Sequence, residues 1–164
     1  MIKTTRLELR KFTRQDRIET IRLLQNADFM AFSPTGAMTS EQAESRFEEL
    51  VSAFPNKGIG KFCVVERLSG ELIGYCGIES FDYKSETVIE LGYRLKLSAR
   101  GKGYAQEASD AVLSFAKQQG YTKVLALTEP ENAPSQHILR KFGFKACGEG
   151  VYQKTPVRYF EKWI

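Results

Sequence analysis

Two glycines one residue apart, Gly101 and Gly103, stand in the run Arg100-Gly101-Lys102-Gly103-Tyr104-Ala105, between an apolar strand-like segment and a helical stripe. Strand, glycine turn, helix is an order that binds phosphate. Glycine has no Cβ, so the main chain turns tightly and comes close to a ligand. The first amides of a helix have no partner within it, and the helix dipole adds partial positive charge there. Ala105 and Ala108 are small and keep such a cradle open, while Arg100 and Lys102 add charge outside it. The competing reading is a strand-to-helix turn that needs glycine only for its own geometry.

Other glycine motifs fit worse. A P-loop needs Gly-Lys followed by Ser or Thr, but Gly103 follows Lys102. A dinucleotide fingerprint needs a third glycine where Gln106 stands. The run Gly58-Ile59-Gly60-Lys61 precedes a strand, so it offers no helix N-terminus to a phosphate. A second constellation follows the next strand: Asn132-x-x-Ser135-x-x-x-Leu139-x-Lys141-x-Gly143-Phe144. Asn132 and Ser135 are polar groups at a helix start, where both also serve well as turn or cap residues. His137, the only histidine, has no second histidine or nearby nucleophile, so it forms neither a triad nor a metal set.

The elements that must position these residues read as follows. Leu7, Leu9 and Phe12 alternate with polar residues as in a strand with one wet face. Thr13 to Asp16 resembles a capping box and precedes a helix with Ile18, Ile21, Leu23 and Leu24 on one side. Ser33-Pro34-Thr35-Gly36 breaks the chain, and Thr39 to Gln42 is a second capping box. The stripe Ala43, Phe47, Leu50, Val51 and Phe54 then predicts a helix, closed by a loop over residues 55–60. Residues 62–66 and 72–79 form a hairpin signature around a turn at 68–71, and residues 87–95 a further strand. A helix over 103–119 turns Ala105, Ala108, Val112, Phe115 and Ala116 inward and ends at Gly120. A short buried strand over 123–127 leads to a helix opened by Asn132-Ala133-Pro134. Two closing strands, the second over 157–164, complete an α+β, mixed α/β domain rather than a regular parallel array.

The length of 164 residues favours one domain, 1–164, able to bury a core without metals or disulfides. With 42% apolar residues there is enough apolar surface to oppose disorder. The net charge of +4 is spread along the chain, with no Lys/Arg block to mark nucleic-acid binding, though the surplus suits an anionic cofactor. Cys63, Cys76 and Cys147 are widely spaced and odd in number, which reads as three small core residues in a reducing compartment. No secretory signal and no bilayer-spanning run is visible, so a cytoplasmic protein is expected, with no membrane partner and no metal.

Taken together, R-G-K-G-Y-A opening a helix, N-A-P-S-Q-H-I-L-R-K-F-G-F, the opening T-T-R-L-E-L-R and the strand I-E-L-G-Y-R-L resemble the GNAT acetyltransferase superfamily. The likeness is greatest to its branch that acetylates ribosomal-protein N-termini, and it spans almost the whole chain. It implies a strongly twisted, mostly antiparallel sheet flanked by helices, with central strands, here 87–95 and 123–127, splayed apart. It moves the glycine turn from phosphate in general to the pyrophosphate of acetyl-CoA, a co-substrate. The cradle would be Arg100, Gly101, Lys102, Gly103, Tyr104 and Ala105. The pantetheine arm would pair with main chain around Leu95, Lys96 and Leu97, and Asn132 would bond its amides. The family often has Pro where Leu97 stands, a departure of little weight for main-chain contacts.

The implied reaction is direct acetyl transfer to an amine, either a small molecule or a protein N-terminus, which must be neutral to attack. A general base is then useful, and Glu90, in an apolar strand beside the implied splay, is the first choice, with Glu79 in reserve. A main-chain N–H near Leu95 is the implied oxyanion donor. Many family members carry a Tyr acid seven residues after the motif asparagine; here that position is Leu139, and Ser135 is the available hydroxyl, as in the resembled branch. Glu90 as half of an ion pair and Ser135 as a cap residue are the competing structural readings. Phe29, Phe32, Met38, Tyr93, Phe81 and Tyr83 are candidates for the acceptor wall, each equally a core residue. A non-catalytic acyl-CoA sensor and an unrelated nucleotide-binding domain are the alternatives to an enzyme. The oligomeric state, monomer or homodimer, is open.

Overall fold

A computed structural model describes residues 1–33 and 35–164; of the chain break expected at 33–36, Pro34 lies outside the described residues. The chain begins with β1 (Ile2–Lys3) and β2 (Leu7–Arg10), then a single 3-10 turn, Arg14–Asp16, that leads into α1 (Arg17–Leu24). Asp16 accepts the Thr13 main-chain N–H at 2.8 Å, as the shortened capping box predicts. The helix face differs from expectation: Ile18 is 67% exposed, and Thr20 and Leu24 are the buried pair. Eight residues make barely two turns, and the inward face is set by what α1 packs on, which is the next helix.

That helix, α2 (Ser40–Lys57), starts at the predicted box: Gln42 N–H donates to Thr39 Oγ1 and Gln42 Oε1 accepts from Thr39 N–H. It buries Ala43, Phe47, Leu50 and Phe54. It also runs three residues beyond the expected end. Pro55 sits inside it, and Gly58, at φ 74°, donates its N–H to the Phe54 carbonyl, so the stop falls at Gly58.

The remaining elements are β3 (Lys61–Glu66), β4 (Leu72–Tyr83), β5 (Glu86–Leu95), α3 (Tyr104–Gln118), β6 (Lys123–Thr128), α4 (Ala133–Lys141), β7 (Lys145–Tyr152) and β8 (Thr155–Trp163). They build one eight-stranded sheet in the order β1-β2-β3-β4-β5-β6-β8-β7. Every neighbouring pair is antiparallel except β5 with β6. The fold is therefore mixed α/β with a mostly antiparallel sheet, as expected. Helix α3 packs on β2, β4 and β5, over a core that includes Leu7, Leu9, Phe62, Val64, Val112 and Phe160. A second core beneath α1 and α2 holds Phe12, Leu24, Phe29, Met30, Leu50 and Tyr75. Among the described residues no helix is long and apolar enough to cross a membrane.

The β5–β6 junction decides what the sheet can do. The two strands pair only at Ile89↔Val124 and Glu90↔Leu125. Past Glu90, β5 stays bound to β4 while β6 stays bound to β8, through Thr128↔Arg158. The sheet twist then carries the two halves apart, which opens the expected splay.

Candidate functional site

Main chain on the β5 side of the gap is open to a ligand. Gly74 faces Leu95, and Lys96 N–H donates to the Ile73 carbonyl at 2.8 Å. Antiparallel alternation therefore turns the N–H and C=O of Tyr93 and Leu95 away from β4, into the gap. Arg100 Nε donates to the Leu95 carbonyl at 3.2 Å, and an Arg100 Nη donates to the Asp28 carbonyl at 2.7 Å. Arg100 thus ties the strand end to the loop before α2 instead of standing outside the cradle. Lys96 has already given its N–H to Ile73, and its ammonium pairs with Glu71 at 2.7 Å; Leu97 lies exposed on a short 3-10 turn.

The glycine turn has the geometry its residue types call for. Gly101 and Gly103 have φ of 74° and 82°, the left-handed region that glycine enters freely. Gly103 caps α3, and among the described residues no side chain bonds the first amides, those of Tyr104 and Ala105. The turn is held from behind by residues that were not foreseen. Arg6 donates to the Lys102 carbonyl at 2.7 Å and to Glu107 Oε1 at 2.8 Å, and its guanidinium lies 4.4 Å from the centre of the Tyr104 ring. Thr4 Oγ1 and the Arg6 N–H both donate to Glu107 Oε2. Tyr104 donates its hydroxyl proton to Glu66 at 2.5 Å. The T-T-R opening that carried part of the resemblance is, physically, the brace of this turn.

A cleft of roughly 220 Å³ opens at the splay, lined among others by Phe32, Arg46, Lys61, Tyr75, Glu79, Glu90, Tyr93, Asn132, Ser135 and Tyr152. Whole-ligand pockets run to about 300–1,000 Å³, so this space suits the reacting groups and not an entire coenzyme. Glu90, Ser135 and Asn132 are brought to one cavity, as expected. Of the proposed acceptor wall, Phe32 and Tyr93 border it. Phe29 is buried edge-on against Tyr75, Met38 packs on the second core, and Phe81 and Tyr83 lie tilted against the Tyr159 ring.

Side chains on the cleft's polar floor form one cluster. Glu79 and Glu90 face each other across β4 and β5. Lys61, with 5% of its side chain exposed, places Nζ 3.3 Å from Glu79 and 4.0 Å from Glu90. Arg46 on α2 reaches Glu79 at 3.2 Å. Burial pushes the Glu90 carboxyl above the usual carboxylate range, Lys61 opposes this, and the Glu79 charge adds to it. Burial alone would raise Glu79 too, but Lys61 and Arg46 outweigh it and hold Glu79 below that range. Two facing carboxylates with environments that push them apart are an arrangement for acid–base work. Across the cleft, the Tyr93 and Ser135 hydroxyls are bonded at 3.0 Å, and burial raises the Tyr93 phenol. Asn132 Oδ1 accepts the Ser135 N–H at 3.2 Å, so it caps α4. Thr128, also on the cleft, has a buried hydroxyl with no partner among the described residues.

Lys61, Arg46 and Tyr152 escaped the sequence reading; the first had been set aside with the Gly58–Gly60 run. Among the described residues no three His, Cys, Asp or Glu side chains cluster as a metal site would require. Cys63 and Cys76 are core residues, but Cys147 is only half-buried, on strand β7 beside the Tyr83 hydroxyl. His137 lies exposed on α4.

The profile of the family described as "Acetyltransferase (GNAT) domain" matches residues 6–145. The chain belongs to the GNAT acetyltransferase family. An uncharacterized N-acetyltransferase of Bacillus subtilis (strain 168), YnaD, is 31% identical over 167 residues, covering 99% of this chain and 91% of that one. Among solved structures, a GNAT-family acetyltransferase from Bordetella pertussis superposes with a TM-score of 0.84 at 20% identity, covering 98% of both chains. RimL, a ribosomal L7/L12 α-N-protein acetyltransferase solved in complex with coenzyme A, gives 0.81 at 16% identity, covering 98% of this chain and 96% of its own. At those identities the two structures establish the GNAT fold, and the neighbours of this fold include ribosomal-protein acetyltransferases.

Proposed function

We propose that this protein is a single GNAT domain that moves the acetyl group of acetyl-CoA onto a primary amine, by direct attack in a ternary complex. A protein N-terminal α-amine is the favoured acceptor. The observation that carries the reading is Glu90: a half-buried carboxyl held above its ordinary range, at the point where β5 and β6 part, on the wall of the cleft. The coenzyme A in the RimL complex supports the choice of donor. So does the fit of this chain's own residues: amides at the start of α3 without a side-chain cap, the Tyr93 and Leu95 N–H groups turned into the gap, and a buried Thr128 hydroxyl with no partner among the described residues.

In this reading Gly101, Lys102, Gly103, Tyr104 and Ala105 offer their main chain to the pyrophosphate. Arg100 braces the strand end, and Leu95 supplies the edge that pairs with the pantetheine arm, bordered by Lys96 and Leu97. Asn132 has its Oδ1 engaged in capping α4, which leaves the side-chain NH2 as its donor to the arm. Glu90, once ionised, takes the proton of the attacking amine. The amide of Leu95 faces the charge that develops on the carbonyl oxygen. The Ser135–Tyr93 hydroxyl pair gives a proton to the departing thiolate and regains one from water, while Glu90 releases its own to water. An α-amine is favoured because it is neutral to a larger extent near pH 7 than a lysine side chain, so it asks less of the base.

Incubation with acetyl-CoA and a panel of amines (peptide N-termini, a polyamine, free amino acids) tests the proposal. Thiol release and the mass of each amine are followed together. Turnover is expected with one class of amine, which gains one acetyl group. Tight acetyl-CoA binding without turnover on any amine would replace the enzyme with the sensor.

A further inference from the structure

Lys61 is a charged residue at the innermost end of a buried strand, a place where lysine is rare. Its setting is built for it. The register runs Lys61↔Gly77 from β3 to β4 and Gly77↔Gly92 from β4 to β5. Lys61, Gly77 and Gly92 therefore form a row across three strands. A Cβ on Gly92 would stand 2.8 Å from Lys61 Nζ, and one on Gly77 would stand 2.5 Å from Lys61 Cα. Gly77 thus lets the main chain of β3 come close at Gly60 and Lys61, and the missing Cβ of Gly92 leaves the space that the end of the lysine side chain fills. There the ammonium stands between Glu79, at 3.3 Å, and Glu90, at 4.0 Å. The first distance is a hydrogen bond and the second is not, so Lys61 binds Glu79 and acts on Glu90 through its charge.

We propose that Lys61 is a positioning residue of the acetyl-transfer site, whose ammonium, seated over Gly92 between Glu79 and Glu90, keeps the Glu90 carboxylate available as a base at neutral pH. The inference rests on the reading of Glu90 as the general base. The charged and titratable groups around Glu90 are Lys61 from β3, Tyr75 and Glu79 from β4, Arg94 from β5, Arg46 from α2 and Tyr152 from β7. Arg94 donates to the Phe29 and Ala31 carbonyls, and Arg46 is held by Glu79 and Glu49. Lys61 is thus the cation placed to balance Glu90 against burial and against Glu79. Without it, Glu90 would keep its proton to higher pH, and the fraction of enzyme able to accept a proton would fall.

The test compares K61M, which keeps the stem and removes the charge, with G92A, whose methyl group displaces the ammonium but keeps it. For each, the pH profile of kcat/KM for acetyl transfer is measured, and the Glu90 carboxyl is titrated by 13C NMR in the free protein. E90Q is the reference. In K61M the acid limb and the Glu90 titration are expected to move up together by about one pH unit or more, with a smaller shift of the same sign in G92A. The KM for acetyl-CoA stays within about twofold, because Lys61 lies away from the cradle. An unchanged Glu90 titration in K61M overturns the role of Lys61, whatever E90Q does. Should K61M fail to fold, an unchanged titration in G92A overturns it in the same way. A shifted titration together with a wild-type profile for E90Q overturns the base reading instead.

Discussion

Replacing Arg6 with Ala separates binding of the cofactor from chemistry. Arg6 is far from Glu90 in sequence and role, yet it holds the glycine turn through three contacts: the Lys102 carbonyl at 2.7 Å, Glu107 at 2.8 Å and the Tyr104 ring at 4.4 Å. A charge-assisted bond to a carbonyl is worth about 1.5 kcal/mol and a stacked cation about 0.5–1 kcal/mol. The ion pair with Glu107 must be discounted, because the Arg6 side chain is 42% exposed; about 0.5 kcal/mol is a fair share. The contacts share one side chain and are not additive, so a total of about 1–2 kcal/mol is expected, or a fall in Tm of about 3–6 °C for a chain of this size.

The informative readout is how the kinetic effect divides. Arg6 braces the turn whose amides are proposed to hold the pyrophosphate. R6A should raise the KM for acetyl-CoA about tenfold, the equivalent of about 1.4 kcal/mol of lost order in the cradle, and leave kcat within about twofold. Lysine keeps the charge but cannot fork to two acceptors and stack, so R6K should recover less than half of the loss. Steady-state kinetics with varied acetyl-CoA, beside a thermal melt, is the assay. If Tm falls and KM does not move, Arg6 stabilises the fold alone and the cradle assignment loses its main structural support. If kcat falls while KM holds, the turn acts on the chemistry and the division of labour proposed above is wrong.

S135A and Y93F should each lower kcat about tenfold or more with little change in KM, and the double variant should be no worse than either, because the two hydroxyls act as one bonded pair. The facing glutamates should respond to acid with opposite signs. Glu79 is held below its ordinary range, so it stabilises the fold above that range and the contribution is lost as pH falls through its lowered value; E79Q should melt earlier than wild type near neutral pH, and the gap should close on acidification. Glu90 is held above its ordinary range, so it favours the fold at low pH and that contribution is lost as pH rises through its raised value; E90Q should melt no earlier, and by a few degrees later, near neutral pH. Burial pushes the Cys63 and Cys76 thiols up to about 12, so a thiol reagent on the native protein should modify half-buried Cys147 first and the other two only on unfolding.

What could be read in the sequence was local. The glycine turn and both motif residues of α4 are fixed by nearest neighbours, and the structure places them as their types predict. The α2 capping box is likewise a four-residue matter. Two tight turns were invisible for the opposite reason: Lys84-Ser85 and Gln153-Lys154 all take positive φ without glycine or asparagine, so the usual signal was missing. The burial of Ile18 was misjudged because a two-turn helix takes its inward face from its neighbours and not from its own period. Lys61 is the extreme case. Its placement depends on the close main-chain approach at Gly77 and the space over Gly92, which lie 16 and 31 residues away and meet it only through strand register.

In the proposed mechanism, the position of Glu90 meets a conflict that any base withdrawn from water faces. A carboxyl must be taken from water to rise in pKa, yet it must also be reached by an amine. A residue inside a continuous sheet meets only the first demand, and one on a free edge only the second. Glu90 is the last residue of β5 still paired with β6, opposite Leu125, and the next residues are bound on one side alone. It is therefore walled by the closed part of the sheet and open to the cleft made by the parted strands. Moving the split by two residues in either direction would remove one of the two conditions. The fold places the burial-raised carboxyl of the facing pair at the point where the sheet divides, while Lys61 and Arg46 on the floor hold Glu79 below the usual range and oppose the rise at Glu90.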